Sequence, residues 1–128
     1  MALTEYDAIK AYARMMNNRN LKYFEPYIAV DIVLKSQVQS EPVQGKQGML
    51  EYLAKNLDKI ADDAPVWAEL GEIHKSGRTR PCAVLSQYSR ENMVASATIE
   101  LAGDKVIRLN LFFIPSPDQA RRTGEFPV

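Results

Sequence analysis

The sequence is poor in the residues that form disulfides and metal sites. It contains one cysteine, Cys82, and one histidine, His74, among 128 residues. A single cysteine excludes an internal disulfide, and a histidine without His or Cys partners at ligand spacing does not predict a metal site. We therefore expect no metal and no cofactor. Cys82 is expected to be a small buried side chain, and His74 to lie exposed near a turn.

Charge of one sign and long hydrophobic runs are also missing. Lys and Arg together number 16, as do Asp and Glu, so no overall field attracts nucleic acid or an anionic membrane. No stretch approaches the roughly 18 continuous apolar residues of a membrane-spanning helix. The first residues, MALTEYDAIK, lack the basic and apolar regions of a secretory signal. These absences predict a cytoplasmic protein with neither a nucleic-acid nor a membrane partner.

What is present is an ordinary globular composition. Hydrophobic residues make up 46% and charged residues 25%, which suffices for a buried core in a chain of this length. No repeat, low-complexity tract or long linker divides the sequence. We therefore predict one domain over residues 1–128.

The first half shows helical periodicity interrupted by one alternating stretch. Thr4 and Asn20 have side chains that favour helix N-caps. The alternating stretch places Ile32, Leu34 and Ser36 on one face, with a serine where a core residue is expected. Helices are predicted for residues 4–18, 21–28 and 46–60, and a strand for residues 32–38.

The second half has the period of strands. Short turns between consecutive strands predict an antiparallel meander. With the preceding elements, this order predicts an α+β fold whose helices pack on one face of a curved sheet. Strands are predicted for residues 66–74, 80–89, 93–101 and 105–114.

Turn lengths assign the faces of these strands, because directly opposed residues share a side of the sheet. A two-residue turn at Arg90-Glu91 pairs Val84 with Ala97, and a three-residue turn at Ala102–Asp104 pairs Ala97 with Leu109. The face expected to contact the helices then carries Cys82, Val84, Ser86, Tyr88, Met93, Ala95, Ala97, Ile99, Ile107, Leu109, Leu111 and Phe113.

The opposite face of the predicted sheet is mixed in character. It carries Leu85, Gln87, Val94, Ser96, Thr98, Arg108, Asn110 and Phe112. This mixture is too apolar for a solvated face and too polar for a core. It predicts a homodimer interface formed by the sheet.

The register of the strand at residues 66–74 is open. A two-residue turn at Ser76-Gly77 places Glu69 opposite Val84. The residues that then turn toward the helices are Trp67, Glu69, Gly71 and Ile73. After a shift of one residue they are Ala68, Leu70, Glu72 and His74. Whether a carboxylate faces the helices depends on this register.

This order of elements resembles the nuclear-transport-factor-2-like (NTF2-like) superfamily, a group with a cystatin-like cone that includes ketosteroid isomerases and SnoaL-like polyketide cyclases. The resemblance covers almost the whole chain, as a pattern of elements. It is carried by the helix Asn20–Ile28, the strand IVLKSQV, the loop Pro42 to Gly45 and the closing strand DKVIRLNLFF. It implies N-terminal helices on the concave face of a curved, mostly antiparallel sheet. The small residues Ser86, Ala95 and Ala97 leave room at the centre of the face that the helices cover, either for an apolar pocket or for a side chain from a helix.

The resemblance to ketosteroid isomerases extends to three positions. Tyr12 falls where those enzymes keep a tyrosine that hydrogen-bonds the enolate oxygen. Ser36 falls where they keep the aspartate that shuttles the proton, and Ala97 near their second, protonated aspartate. One of the three functional groups is present and the base is missing, because serine is not a base near neutral pH. The isomerase mechanism is therefore not implied, and Ser36 is interpreted as a wall residue.

Two residues are candidates for catalysis. Tyr12 could donate a hydrogen bond to developing oxygen charge, and Glu69 could act as a base whose pKa burial would raise. Tyr12 could instead close the helix–sheet core with its hydroxyl at the rim, and most glutamates are exposed. The pocket is predicted to be lined by Met16, Ser36, Leu53, Trp67, Val84, Ser86, Tyr88, Ala97, Leu109, Leu111 and Phe113.

Two functions remain open at this point. The first is a small-molecule-binding domain, or an enzyme of the isomerase, cyclase or hydrolase kind, that takes a small lipophilic molecule into the apolar pocket. The second is a non-catalytic homodimeric binding or scaffold domain with a filled cavity, because a fold does not by itself imply a function.

Overall fold

The computed structural model describes residues 3–36, 41–60, 65–75, 77–89, 92–112, 120–123 and 125–128, with the backbone alone for Lys75, Phe112 and Ala120. These residues form two α-helices, α1 (Glu5–Asn18) and α2 (Lys46–Asp58). The strands are β1 (Ile28–Ser36), β2 (Val43–Gln44), β3 (Val66–Lys75), β4 (Arg78–Gln87), β5 (Met93–Ala102), β6 (Lys105–Phe112) and β7 (Ala120–Arg122). Neither described helix combines the length and apolar character that a membrane span requires.

Helix α1 is capped by local groups at both of its ends. Thr4 is extended, and its Oγ1 accepts a hydrogen bond from the backbone N–H of Asp7 at 3.1 Å, as an N-cap does. At the other end Arg19 adopts a left-handed conformation with φ 51°, and its N–H bonds to the carbonyl of Met16. Such a residue closes a helix. The predicted cap and end of this helix are confirmed.

The second predicted helix is wrong. Residues 21–28 form two short 3-10 turns, Leu21–Tyr23 and Glu25–Tyr27, and Ile28 already belongs to β1. Pro26 explains the difference. It has no N–H for an α-helical hydrogen bond, and it disfavours the helical conformation in the residue before it. The proline therefore limits this segment to single turns.

The sheet has the strand order β2-β1-β6-β5-β4-β3-β7. Strands β1 and β6 are parallel, and every other neighbouring pair is antiparallel. Helix α1 packs on β3, β4 and β5, whereas α2 packs on β1. The predicted α+β fold, with helices over a mostly antiparallel sheet, is confirmed. Strands β2 and β7 were missed because at 2 and 3 residues they are too short to show a period.

The main core lies between the helices and one side of the sheet, which we call the helix face. The helices contribute Ala8, Ile9, Ala11, Tyr12, Ala13, Met15, Met16, Met49, Leu53 and Leu57. The strands contribute Ile28, Ile32, Leu34, Ala68, Leu70, Ala83, Leu85, Ala95, Ala97, Ile99, Val106, Leu109 and Leu111. The hydroxyl of Tyr12 is the one polar group among the side chains of this cluster.

The pairing of β3 with β4 follows the first of the two open registers. Glu69 lies opposite Val84, and Lys75 lies opposite Arg78, so the two-residue turn is confirmed. The faces, however, are reversed. Ala68 and Leu70 belong to the helix-face core, and Glu69 lies on the opposite side, which we call the outer face.

A β-bulge between β4 and β5 causes this reversal. Leu85 pairs with Ala95, but Ser86 pairs with Met93, so Val94 is an extra residue in β5. One extra residue exchanges the faces of everything beyond it. The predicted pairs of Val84 with Ala97 and Ser86 with Ala95 are therefore wrong. Eight residues were predicted to lie on the helix face but lie on the outer face: Trp67, Glu69, Gly71, Ile73, Cys82, Val84, Ser86 and Met93.

Between β5 and β6 the predicted faces are largely confirmed, although the pairs differ. Ala102 pairs with Lys105, and a bulge between Glu100 and Leu101 shifts the register, so Ala97 opposes Leu111 rather than Leu109. The two-residue displacement keeps the side chains on their expected side. The exception is Ile107, which is the extra residue of this bulge, while the neighbouring Val106 enters the core.

The residues assigned to a homodimer interface are distributed differently in the structure. Leu85 and Val94 pack with the helix-face core, whereas Ser96 and Thr98 are 1% and 5% exposed within one chain. Leu85, Ser96 and Thr98 are thus buried within one chain, whereas Val94 is half-buried. Gln87, Arg108 and Asn110 are half-buried, and the side chain of Phe112 lies outside the described residues.

Candidate functional site

Tyr12 is the polar side chain at the centre of the helix-face core. It lies in the middle of α1 and is 2% exposed. Its ring packs edge-on against Phe24, with ring centroids 5.6 Å apart and an interplanar angle of 77°. Such an edge-to-face pair fixes the orientation of the ring. No hydrogen bond joins the Tyr12 hydroxyl to any residue in the described part of the chain.

The environment keeps this phenol protonated. Burial raises the pKa of Tyr12 well above its usual value of 10.0, and the nearby Tyr52 adds to the effect. Tyr52 belongs to α2 and is half-buried against the same core. A phenol with a raised pKa remains a hydrogen-bond donor throughout the neutral range. It can polarise a carbonyl oxygen, but it cannot remove a proton.

Five residues predicted to line the pocket belong to the same buried cluster as Tyr12. Met16, Leu53, Ala97, Leu109 and Leu111 all belong to its buried cluster. They come from α1, α2, β5 and β6, so two helices and two strands build this apolar wall. The structure therefore places these side chains in the core that also contains Tyr12.

Ser36 lies at the border of this region. It is the last residue of β1, opposite Leu111, and shares the helix face with the buried Leu34. Ser36 itself is half-buried. The same end of the sheet holds the pair Val66 and Gln87. The predicted face of Ser36 is confirmed, and it places a hydroxyl at one end of the apolar layer.

Glu69 does not join this region. Its carboxylate is 6% exposed and lies on the outer face, where Oε2 is 3.7 Å from Nε of Arg122. Nη2 of Arg122 also donates to Oγ of Ser86 at 2.8 Å. Glu69, Ser86 and Arg122 thus form an outer-face cluster. Because the sheet separates Glu69 from Tyr12, the two cannot act together on a molecule bound at the helix face.

The other predicted wall residues also lie elsewhere. Val84 is buried on the outer face with Cys82, and Trp67 lies opposite Ser86 on that face. Tyr88 is 70% exposed and has a positive φ of 70°, so it belongs to the turn after β4. Phe113 lies outside the described residues.

Asn17 is a residue whose role the sequence did not reveal. Its Nδ2 donates to the carbonyl of Ala68 at 2.9 Å, and its Oδ1 accepts from the N–H of Ala68 at 2.8 Å. The side-chain amide therefore replaces a neighbouring strand at this point of β3 and fixes the end of α1 over the sheet. In the sequence, Asn17-Asn18 indicated only a helix end, because the partner is a backbone group 51 residues away.

Arg122 was also missed, because it lies in the short strand β7. This strand pairs with β3 at Gly71, and a Cβ at that glycine would lie 2.8 Å from the carbonyl oxygen of Arg121. Only glycine allows such a close approach. In the sequence of β3, Gly71 was the residue that indicated a second backbone packed closely against this strand.

Comparisons with known proteins support the architecture. No protein-family model matches the sequence, and no curated protein matches it. An NTF2-like protein of unknown function from Cytophaga hutchinsonii is similar in structure, with a TM-score of 0.60, 13% identity, and coverage of 91% of this chain and 96% of that one. The sheet and helices therefore correspond over nearly their full extent.

Two further solved structures carry functional names. A candidate polyketide cyclase from Sinorhizobium meliloti has a TM-score of 0.57 and 14% identity, and covers 79% of this chain and 89% of its own. A candidate ketosteroid isomerase from Kribbella flavida has a TM-score of 0.54 and 16% identity. The match covers 84% of this chain and 75% of that one. Identities this low show a shared fold alone. The chain has the NTF2-like, cystatin-like fold that the sequence predicted.

Proposed function

We propose that this chain binds a small lipophilic molecule between its helices and the helix face of its sheet, and that Tyr12 donates a hydrogen bond to an oxygen of that molecule. The observation that carries the proposal is the Tyr12 hydroxyl, which is held in an apolar core without a hydrogen bond to the described residues. A ligand oxygen would accept a hydrogen bond from this hydroxyl, which is worth about 0.5–1.5 kcal/mol net.

The surroundings of the phenol favour a ketone or a related oxygen compound. The side chains around Tyr12 are aliphatic, aromatic or thioether groups, which suit a lipophilic skeleton. The raised pKa of Tyr12 keeps its proton available for a carbonyl oxygen. Two structural neighbours named for polyketides and ketosteroids agree with this ligand class.

The chemistry that this site supports is binding with polarisation of the bound oxygen. Among the described residues, the buried helix-face core contains no carboxylate, lysine or histidine. Glu69 is excluded by its position on the outer face. A proton-transfer enzyme needs a base within reach of its substrate. We therefore propose a ligand-binding domain rather than an isomerase.

Thermal shift and calorimetry would test the proposal with lipophilic ketones and aromatic polyketide fragments. A ligand present at about 100 times its dissociation constant stabilises the folded state by about 2.7 kcal/mol. For the compound with the largest shift, Tyr12→Phe should weaken binding about tenfold, because one hydrogen bond is worth about 1.4 kcal/mol. Tyr6→Phe is the matched control, since Tyr6 is 45% exposed on the same helix, and it should leave affinity unchanged.

Two results would overturn the proposal. One is the absence of any stabilising compound in a set that spans these skeletons. The other is a ligand that Tyr12→Phe binds as tightly as the wild type does. Because phenylalanine retains the ring that packs on Phe24, the substitution removes the hydroxyl without removing the contact.

A further inference from the structure

A groove of about 730 Å³ lies between α1, the two 3-10 turns and the β5–β6 turn. Ala11, which is 8% exposed, contributes its short side chain to the lining, and Tyr12 is not part of it. The groove also lies at the β5–β6 turn, whereas Ser36 and Leu111 mark the other end of the sheet. It is therefore separate from the site around Tyr12, and its volume is that of a small-molecule site.

Aromatic rings form one wall of the groove. Tyr23 and Tyr27 come from successive 3-10 turns, and each is 36% exposed. The guanidinium carbon of Arg14 lies 5.1 Å from the ring centroid of Tyr23, a distance at which the cation and the ring attract each other. Partly open rings beside a cation suit a flat group that carries negative charge.

The charged side chains of the groove are mostly positive. The cations are Lys10, Arg14, Lys22 and Lys105, and the anions are Asp7 and Asp104. Four cations minus two anions leave an excess of two in a chain whose total charge is zero. Lys10 also lies 3.7 Å from Glu125. With Lys10 set aside, three cations still exceed two anions.

Backbone carbonyls orient two of these cations. Nε of Arg14 donates to the carbonyl of Val128 at 3.2 Å, and Nζ of Lys105 donates to the carbonyl of Pro26 at 2.8 Å. Each bond uses one donor of the side chain and leaves others. The carbonyl of Pro26 is a neutral peptide group, so its bond holds Lys105 at the groove without cancelling the charge of that lysine.

We propose that this groove binds a small aromatic anion, with its ring against Tyr23 and Tyr27 and its phosphate, sulfate or carboxylate group near Arg14, Lys22 and Lys105. The ring and the anionic group are both required, because the groove offers aromatic surface and positive charge side by side. This site is independent of the one around Tyr12.

Phenyl phosphate is a suitable probe. Its binding to the wild-type protein at low salt would be measured by calorimetry and by NMR chemical-shift changes. It should bind saturably, and at least about fivefold more tightly than inorganic phosphate or benzyl alcohol. Lys22→Ala and Tyr23→Ala should each weaken binding about fivefold, since an exposed ion pair or ring contact is worth about 1 kcal/mol. Binding should also weaken between low and physiological salt, because salt screens exposed charges.

Matched variants separate this site from the rest of the molecule. Lys35→Ala and Tyr88→Ala remove an exposed cation and an exposed ring outside the groove and should leave binding unchanged. Tyr12→Phe should also leave it unchanged, which keeps this test distinct from that of the proposed function. The proposal is overturned if binding is not saturable, if inorganic phosphate binds as tightly, or if Lys22→Ala binds like the wild type. Lys22 is exposed, so its substitution does not threaten the fold.

Discussion

Both faces of this sheet contain buried side chains, yet they are built from different chemistry. The helix face surrounds one phenol with apolar side chains, and that phenol has no hydrogen bond to the described residues. The outer face buries Glu69 and Ser86, at 6% and 1% exposure, and Arg122 reaches both of them. Burial of a polar side chain therefore does not by itself identify a ligand site. What distinguishes the two faces is the kind of polar group that each buries: a single phenol on the helix face, and a carboxylate and a hydroxyl that Arg122 contacts on the outer face.

The largest expected difference between the faces concerns packing. Leu109 and Asn110 are neighbours in β6 that point to opposite sides, and Leu109 is fully buried on the helix face. Leu109→Ala should lower the free energy of unfolding by about 3 kcal/mol through lost burial and a cavity. Asn110→Ala should cost less than about 1 kcal/mol, because its side-chain bond to Thr98 is long at 3.4 Å and the residue is half-buried.

Urea unfolding followed by circular dichroism at neutral pH measures both values. Equal losses for the two variants would contradict the view that the apolar helix face provides most of the stability. A larger loss for Asn110→Ala would show that the polar groups of the outer face matter more than its packing suggests.

A smaller difference is expected from the charge on the outer face. Glu69→Gln keeps the shape of the side chain but removes its attraction for Arg122. The unfolding free energy should fall by about 1–2 kcal/mol, less than for a fully buried pair, because the side chain of Arg122 is 28% exposed. Glu72→Gln is the control on the same strand, and since Glu72 is exposed, it should change stability by less than about 0.5 kcal/mol.

The same variant tests whether the faces are independent. A ligand that depends on Tyr12 should bind Glu69→Gln with unchanged affinity, because the sheet lies between the two side chains. Loss of that binding in a variant that still folds would mean that Glu69 reaches the ligand, and would restore it as a candidate base.

The sequence predicted the elements well where a period was long enough to be recognised. Helix α1 with its Thr4 cap, helix α2 and strands β1 and β3 to β6 were all predicted, and the face of Leu34 and Ser36 was correct. The segment around Pro26 failed because helical spacing of apolar residues continued through a residue that cannot extend a helix.

The candidate site was harder to predict, because faces depend on counts of single residues. The bulge at Val94 contains no glycine or proline that would indicate it, yet it turned Val84 and Ser86 away from the helices. Both sides of β4 are apolar enough to be core, so alternation could not correct the error. Tyr12 was identified through the resemblance, whereas Asn17 and Arg122 act through partners distant in the sequence.

The smallest expected effect compares one titratable group from each face at alkaline pH. Burial raises the pKa of the Cys82 thiol on the outer face from 9.0 to about 12, with a further contribution from Glu72. Burial likewise raises the pKa of Tyr12 above 10.0. Below about pH 8 both groups are protonated in the folded and unfolded states, so neither affects stability. As pH rises further, the unfolded chain releases these protons first, and stability falls.

At pH 10 this linkage should cost about 1.4 kcal/mol for Cys82 and about 0.4 kcal/mol for Tyr12. Cys82→Ala and Tyr12→Phe should each remove its own share of the decline in unfolding free energy between pH 7 and pH 10. The measurement compares slopes rather than absolute stabilities, so the cavity left by Cys82→Ala does not affect it. An unchanged slope in Cys82→Ala would show that the thiol ionises as readily in the folded chain as in the unfolded one. The outer face would then be open to solvent, unlike the helix face, and the two would no longer be comparable as buried surfaces.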